Sequence, residues 1–323
     1  MSLLICSDLH CTDHPKDGYR FLLFPWLANQ QAIHKPRATF ILGDLTNEKD
    51  RHSSVLVNKL VDGLKKVKPP VYILKGNHDY IREDLPFFQF LNAIDGIKFC
   101  TEPAFIEDLQ VVMIPHQTSQ TAFDAACRMI PENWIVMCHQ TFDGAIGESN
   151  SRLTGFSTSL ISQKRPRWVY SGDIHKPQQC GPVLYVGAPY HCRHGDNYKP
   201  RVILQHDECD RDLYFDAPKK LSLTIRDLSE MPELKKGDQV KVTLELPRSE
   251  AVEWANHKKS ILDYCKDKGV EVYGTELRVA QARKRQRLDD TPTNRSNLNY
   301  FKTFCLSEGV PIQIQKIGLE LMK

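Results

Sequence analysis

Lys75-Gly76-Asn77-His78-Asp79 follows directly on Val71-Tyr72-Ile73-Leu74, an apolar run bounded by Pro69-Pro70 on one side and Gly76 on the other. The run reads as a buried strand emptying into a tight turn. Asn, His and Asp are poor strand formers, so the polar cluster belongs at the strand's C-terminal end, the rim where open α/β sheets hold ligands. Alone, Gly-Asn-His-Asp is also compatible with an ordinary turn, because Gly, Asn and Asp all favour turns.

The same arrangement recurs through the first half of the chain, and repetition separates the two readings. Leu3-Leu4-Ile5-Cys6 leads into Ser7-Asp8-Leu9-His10, and Thr39-Phe40-Ile41-Leu42 into Gly43-Asp44. Trp134-Ile135-Val136-Met137-Cys138 leads into His139-Gln140, and Trp168-Val169-Tyr170 into Ser171-Gly172-Asp173-Ile174-His175. Each strand ends on side chains able to bind a metal. Aspartate, imidazole and an Asn carbonyl make a mixed O/N donor set that suits Mn, Fe or Zn better than Ca or a pure thiolate site. Asp8, His10, Asp44, Asn77, His139, Asp173 and His175 are more donors than one ion needs, which implies two metals with one bridging carboxylate, most naturally Asp44. Such a pair serves displacement at phosphorus, activating a water and neutralising charge on the phosphoryl oxygens.

The ordered series Asp8-x-His10, Gly43-Asp44, Gly76-Asn77-His78-Asp79, His139 and Gly172-Asp173-x-His175 resembles the calcineurin-like metallophosphoesterases. Within them it is most similar to the SbcD-type nucleases of double-strand-break repair, including phage versions. The likeness covers residues 1 to 205 well and the remainder weakly. It implies an α/β fold: a two-sheet sandwich flanked by helices, a small α/β capping domain and a C-terminal helical tail. It also implies that Asp8, His10, Asp44 and His175 hold one ion, while Asp44, Asn77, His139 and Asp173 hold a second. His78 becomes the unliganded imidazole facing the substrate phosphate, oriented by Asp79. Mn is the expected metal, with Mg, Fe or Zn as alternatives. One departure stands out, since the family usually reads Gly-His-x-His where this chain has Gly172-Asp173-Ile174-His175.

Around these motifs the organisation is that of a multidomain globular protein. A chain of 323 residues exceeds the common single-domain size, and 41% hydrophobic with 26% charged residues is a globular composition. The expected divisions are 1–217 for the catalytic domain, 218–278 for the cap, and 279–323 for a basic linker and helical tail. No signal peptide is recognisable and no apolar run approaches a membrane span, so a cytoplasmic location, the host's if phage-encoded, is expected. The ten cysteines show no Cys-x-x-Cys spacing and read as reduced thiols. A net charge of +3 is too mild to argue nucleic-acid binding by itself.

Local clusters make that case instead. Helices are expected over Tyr19 to Gln31, Ser53 to Val67 with Ser53 or Ser54 as N-cap, Asp84 to Leu91, Gln117 to Ile130 and Ser249 to Lys268. His52, beside the second of these, stands near the position where the related nucleases place a histidine on the DNA end, though Asn47 is nearer. His116 ends an apolar strand at the same rim and reads either as a solvated loop histidine or as a contact to the substrate or to a metal ligand. Lys164, Arg165 and Arg167 close a Gly- and Ser-rich loop that begins at His139, and are expected to border a phosphate-bearing groove. His191 and Arg193 follow Gly187-Ala188-Pro189, a motif that in the SbcD-type proteins precedes the loop lining the active-site mouth. Arg283, Lys284 and Arg285 form a basic tract suited to phosphate contact.

The resulting expectation is a metal-dependent DNA nuclease acting at DNA ends, with a phosphatase of the same superfamily and an inactive DNA-binding scaffold as rivals. The tail from about residue 297 is apolar at helical spacing. By resemblance it would bind an SbcC-type, SMC-like ATPase through Tyr300, Phe301 and Phe304; a homodimer is the other assembly compatible with the chain, and no membrane partner is expected.

Overall fold

The computed structural model describes residues 2–206, 209–280, 301 and 304–321. The chain divides into two units, Met1–Ala280 and Gln281–Lys323. The larger unit is built on two six-stranded sheets packed face to face.

The first sheet contains β1 (Ser2–Cys6), β2 (Thr39–Ile41), β3 (Val71–Leu74), β4 (Ile97–Cys100), β11 (Val202–His206) and β12 (Asp210–Leu213), in the order β12-β11-β1-β2-β3-β4. Strands β1 to β4 run parallel and β11 and β12 antiparallel. The second contains β5 (Ala104–Ile106), β6 (Val111–Ile114), β7 (Ile135–His139), β8 (Trp168–Gly172), β9 (Gln178–Cys180) and β10 (Val183–Tyr185), in the order β5-β6-β7-β8-β10-β9. Its central strands are again parallel.

Parallel strands covered on both faces are apolar throughout, and their two faces sort by residue parity. In β1, Leu3 and Ile5 enter the layer between the sheets beside Phe40, Met113, Met137 and Tyr170. Leu4 and Cys6 point the other way, into a layer with Leu27 and Leu60 of α1 (Leu23–His34) and α2 (Ser54–Leu64). On the far side, α3 (Gln120–Arg128) and α4 (Ser159–Gln163) cover Val112, Val136 and Val169. The order of layers is helix, sheet, sheet, helix, and both sheets direct their parallel C-terminal ends to one rim.

Local signals explain the helix boundaries. Ser53 caps α2 by accepting the Leu56 amide at 3.1 Å, as its position before the apolar periodicity suggested. Pro25 falls in the first turn of α1, where no intrahelical N–H is lost, and the residues before it form a separate 3₁₀ turn, Pro15–Leu22. The expected helix over Asp84 to Leu91 is instead a 3₁₀ run, Phe87–Ala93, because Pro86 holds extended backbone ahead of it. The long segment after His139 is not featureless: bridges join Phe142 to Phe156 and Ile146 to Arg152, and α4 follows.

Beyond Lys219 lies a third, parallel sheet of β13 (Lys220–Ile225), β14 (Gln239–Pro247) and β15 (Glu271–Ala280), with α5 (Trp254–Asp267) between the last two. It has its own core around Val240, Val242, Leu244 and Ile261. Polar contacts secure it to the 3₁₀ turn after β1: Lys220 Nζ lies 2.8 Å from Asp17, and Gln239 donates to the Lys16 carbonyl at 2.8 Å. The two units part after Ala280, close to the expected start of the linker, and the sheet of β13 to β15 belongs to the first.

In the second unit, Gly309 (φ 62°) ends the helical turns at 304–307, and α6 (Ile312–Leu321) follows. Phe304, Ile312, Ile314 and Ile317 are exposed. Among the described residues no helix is long and apolar enough to cross a membrane. All ten cysteines are free thiols.

Candidate metal centre

Tight turns at the shared rim deliver the polar side chains. Asp8, His10, Asp44 and Asp173 all have left-handed backbones, with φ of 56°, 40°, 55° and 79°. Four such non-glycine residues in one rim is the clustering of local strain that marks functional sites. The bends are held in place. Buried Arg20 donates to the carbonyls of His10 and Cys192, and Asp8 accepts the Asp173 amide at 3.1 Å. Gly76 has no tolerable alternative here, because a Cβ on it would collide with the Asp44 carboxylate and amide.

The seven expected ligands converge. Asp44 occupies the middle, with Oδ2 3.5 Å from His10 Nε2 and Oδ1 3.4 Å from His139 Nε2. On the first side, His10 Nε2 faces His175 Nε2 at 3.0 Å, and donor atoms of Asp8, His10 and His175 lie within 4.8 Å of one another. On the second side, His139 Nε2 lies 3.4 Å from Asn77 Oδ1 and 3.9 Å from Asp173 Oδ1. His139 Nδ1–H donates to the Leu42 carbonyl, which fixes the tautomer and leaves Nε2 to the centre.

Among the described residues the ion-pair partners of Asp44 are imidazoles, and carboxylates such as Asp8 and Asp44 are costly to bury in a charged state. Burial pushes Asp8 up to about 6, with His139 and His175 acting in the opposite sense. Burial also opposes charge on His139, but Asp44, then Asp8 and Asp173, outweigh it and hold the imidazole well above its usual value. The same pairing holds Asp44 below the ordinary carboxylate range despite its burial. Buried acids and imidazoles with facing lone pairs and mixed O/N donors fit a pair of divalent cations, with Asp44 placed to serve both.

Cation uptake must then displace protons. In the metal-free protein Asp8 is pushed up to about 6, and neighbouring carboxylates hold both His139 and His175 above the usual imidazole value against their burial. The divalent-ion affinity is therefore expected to rise with pH, most steeply where Asp8 too must lose its proton. Calorimetric Mn²⁺ titrations at pH 5.5, 6.5 and 7.5 check this, and an affinity independent of pH would contradict it.

Two of the expected catalytic roles change. His78 Nδ1–H donates to the Asn47 carbonyl at 2.7 Å, and its ring stands edge-on to His10 with centroids 4.9 Å apart. Its orienting partner is therefore the Asn47 backbone and not Asp79. Asp79 is fully buried, and its carboxylate accepts the amides of Gly76, Asp44 and Leu45 at 2.7, 2.9 and 3.1 Å. It ties the β2 turn to the β3 turn and has no substrate-facing atom. Burial and then Asp44 push it up to about 7, against the Gly76 and Leu45 amides and the His139 imidazole.

The expected DNA contacts separate by location. Lys164, Arg165 and Arg167 precede β8, whereas Asp173 follows it. At about 3.3 Å per residue, a strand of that length puts Arg167 roughly 20 Å from Asp173, on the opposite rim. Lys164 there donates to the Arg128 carbonyl and Arg165 pairs with Glu132 at 3.8 Å. They cannot border a phosphate held at the metal centre. His52 packs on Phe87 and Phe88, with Nε2 2.8 Å from the Thr46 hydroxyl. His191 is buried, donating to the Tyr198 carbonyl at 3.0 Å and accepting the Lys220 amide at 3.4 Å. Both are consumed by internal contacts. Arg193 alone of these residues stands at the mouth, reaching Glu148 at 2.6 Å. Arg283, Lys284, Arg285 and Tyr300 lie outside the described residues.

Several contributors were not foreseen. Thr141 donates to Asp173, Arg20 braces His10, and Glu148 Oε1 lies 2.6 Å from His175 Nδ1. No motif spacing marks Thr141, Arg20 or Glu148, because they arrive from separate parts of the chain. His116, at the rim end of β6 as the sequence suggested, is half-buried, with Nδ1 2.7 Å from the Tyr80 hydroxyl and its ring 6.2 Å from that of His139.

A two-sheet α/β fold with a carboxylate shared between two O/N donor sets defines a metal-dependent phosphoester hydrolase. Residues 1–274 match the calcineurin-like phosphoesterases, and the chain belongs to that family. It is 30% identical over 121 residues to the UDP-2,3-diacylglucosamine hydrolase of Blochmanniella floridana, a match spanning 36% of this chain and 43% of that relative. A solved archaeal phosphodiesterase is 13% identical, with 67% of this chain and the whole of the other covered and a TM-score of 0.36.

Proposed function

We propose that the chain is a Mn²⁺-dependent nuclease of the SbcD type, hydrolysing phosphodiester bonds at DNA ends in the cytoplasm. The observation that carries the hydrolytic part is the Asp44 carboxylate, whose two oxygens face the two donor sets. Bound divalent ions supply Lewis-acid activation of water and of the phosphoryl group. The chain's own residues do the rest. Asn47 holds His78 with Nε2 free for the phosphate side, and Asp79 keeps the β2 and β3 turns in register.

Support for a polynucleotide substrate is the order of the motifs and the sheet of β13 to β15 secured next to the loop that carries Arg193. His194 Nδ1–H, one residue on, donates to the Leu221 carbonyl of β13 at 3.4 Å. A second reading, a hydrolase of a UDP-linked small molecule, is favoured by the name of the 30%-identical relative. Purified protein with Mn²⁺, offered labelled linear duplex, single-stranded DNA, an aryl phosphomonoester and a UDP-sugar, separates the two. DNA turnover exceeding that of the phosphomonoester is expected. Turnover of the UDP-sugar alone would install the second reading, and none at all an inactive scaffold.

The tail is read as the docking segment for an SbcC-type ATPase, with Phe304 as an exposed aromatic anchor. Phe301 does not share that role, since its ring lies against Gly318 of α6. Truncation after Ser296 is expected to leave folded, hydrolytically competent protein that no longer co-purifies with the ATPase. A truncated protein that loses stability yet still co-purifies would assign the tail to packing in cis.

A further inference from the structure

Glu148 sits far from every motif, in the segment between β7 and β8, yet both of its oxygens are engaged at the rim. Oε1 lies 2.6 Å from His175 Nδ1, off the axis of its N–H, and Oε2 lies 2.6 Å from Arg193 Nη1. The turn that carries Glu148 is rigidly braced. Gln178 accepts the Ile146 amide and donates to the Ile146 carbonyl, each at 2.7 Å, and Gly147 donates to the Ser151 carbonyl at 2.9 Å. Lys176 adds a bond to Asn150 at 2.7 Å. The segment just after His175 thus holds the turn whose carboxylate contacts His175. The arrangement closes a small loop of contacts, His175 to Gln178, Gln178 to Ile146, and Glu148 back to His175.

A carboxylate against Nδ1 keeps the proton there and leaves Nε2 as the lone pair, which is the atom that faces His10 across 3.0 Å. Histidine ligands generally owe their tautomer and ring orientation to such an outer partner. We propose that Glu148 is the positioning residue for His175, holding that imidazole with Nε2 toward the divalent cation shared with Asp8 and His10. This rests on the metal-dependent hydrolase reading of the centre. Glu148 contacts His175 and Arg193, so it would act on the cation through His175.

The test is calorimetric titration of Mn²⁺ into chelator-stripped protein, comparing wild type with Glu148→Ala, Glu148→Gln, His175→Ala and Glu148→Ala/His175→Ala. Glu148→Ala is expected to weaken one of the two binding events by roughly 10- to 100-fold and spare the other. In the His175→Ala background the same change is expected to add nothing, since the group it acts through is gone. Glu148→Gln keeps an oxygen that can accept from Nδ1–H and should recover most of the affinity. Wild-type affinity in Glu148→Ala, or an equal loss with and without His175, would overturn the proposal. So would Glu148→Gln behaving like Glu148→Ala, which assigns the effect to lost charge. Should Glu148→Ala not fold, Glu148→Asp, one methylene short of Nδ1, carries the same expectation, and undiminished affinity there overturns it. Wild-type protein that takes up no Mn²⁺ would instead overturn the hydrolase reading itself.

Discussion

Asp44→Ala is expected to reduce hydrolysis to the level of the chelator-treated wild type and to empty both cation positions together. The reason is geometric. Oδ2 faces His10 and Oδ1 faces His139, so removing this side chain takes a donor from both sets at once. Losing the several kcal/mol of transition-state charge stabilisation that bound cations provide corresponds to about 10³-fold or more in turnover. The fold should survive, because removing Asp44 also removes one of the charges that push Asp79 toward protonation. A ligand that binds only the folded state at 100 times its Kd adds about 2.7 kcal/mol of stability. Mn²⁺ should therefore raise the melting temperature of the wild type and leave that of Asp44→Ala unchanged. Metal content by mass spectrometry and melting with and without Mn²⁺ provide the check. A variant that still holds two ions would show that Asp44 does not bridge.

His78→Gln is expected to lose about 10²- to 10⁴-fold in turnover, the range of an acid/base or charge-stabilising group, while retaining both metal ions. Its Nδ1–H is taken by Asn47, so only Nε2 is free to act. That nitrogen is also near enough to His10 and Asp44 to join a metal cluster, since donor atoms of the three lie within 4.8 Å. The two roles predict different stoichiometries. If His78→Gln loses one ion along with its activity, the imidazole is a ligand; if turnover is unchanged, it is neither ligand nor catalyst.

The rim was legible because strand and turn are local. Four- and five-residue apolar runs ending in Gly, Asn, His and Asp announce both the strand and where it stops, and Ser53 announces α2 by the same short-range logic. The misplacement of Lys164, Arg165 and Arg167 has an equally simple cause. In a parallel sheet, residues before a strand and residues after it lie on opposite rims, so charges entering β8 cannot meet the aspartate that leaves it. His52 and His191 were read from proximity in sequence to functional motifs. Burial against Phe87 and Phe88, and capture by Tyr198 and Lys220, decided their roles instead.

What the sequence by itself determined was the set of metal-capable residues and their delivery to a common edge, since both follow from strand periodicity and turn chemistry within about ten residues. What only the tertiary structure decided was the pairing among them: that Asp44 faces both donor sets, that Asp79 serves three backbone amides, that Asn47 and not Asp79 holds His78, and that Glu148 reaches His175. Apart from the Gly76 amide on Asp79, these contacts join residues 27 to 95 apart in the chain, across turns from different strands. Hydrogen-bond direction and charge proximity there depend on ångström-scale geometry that no spacing along the chain encodes.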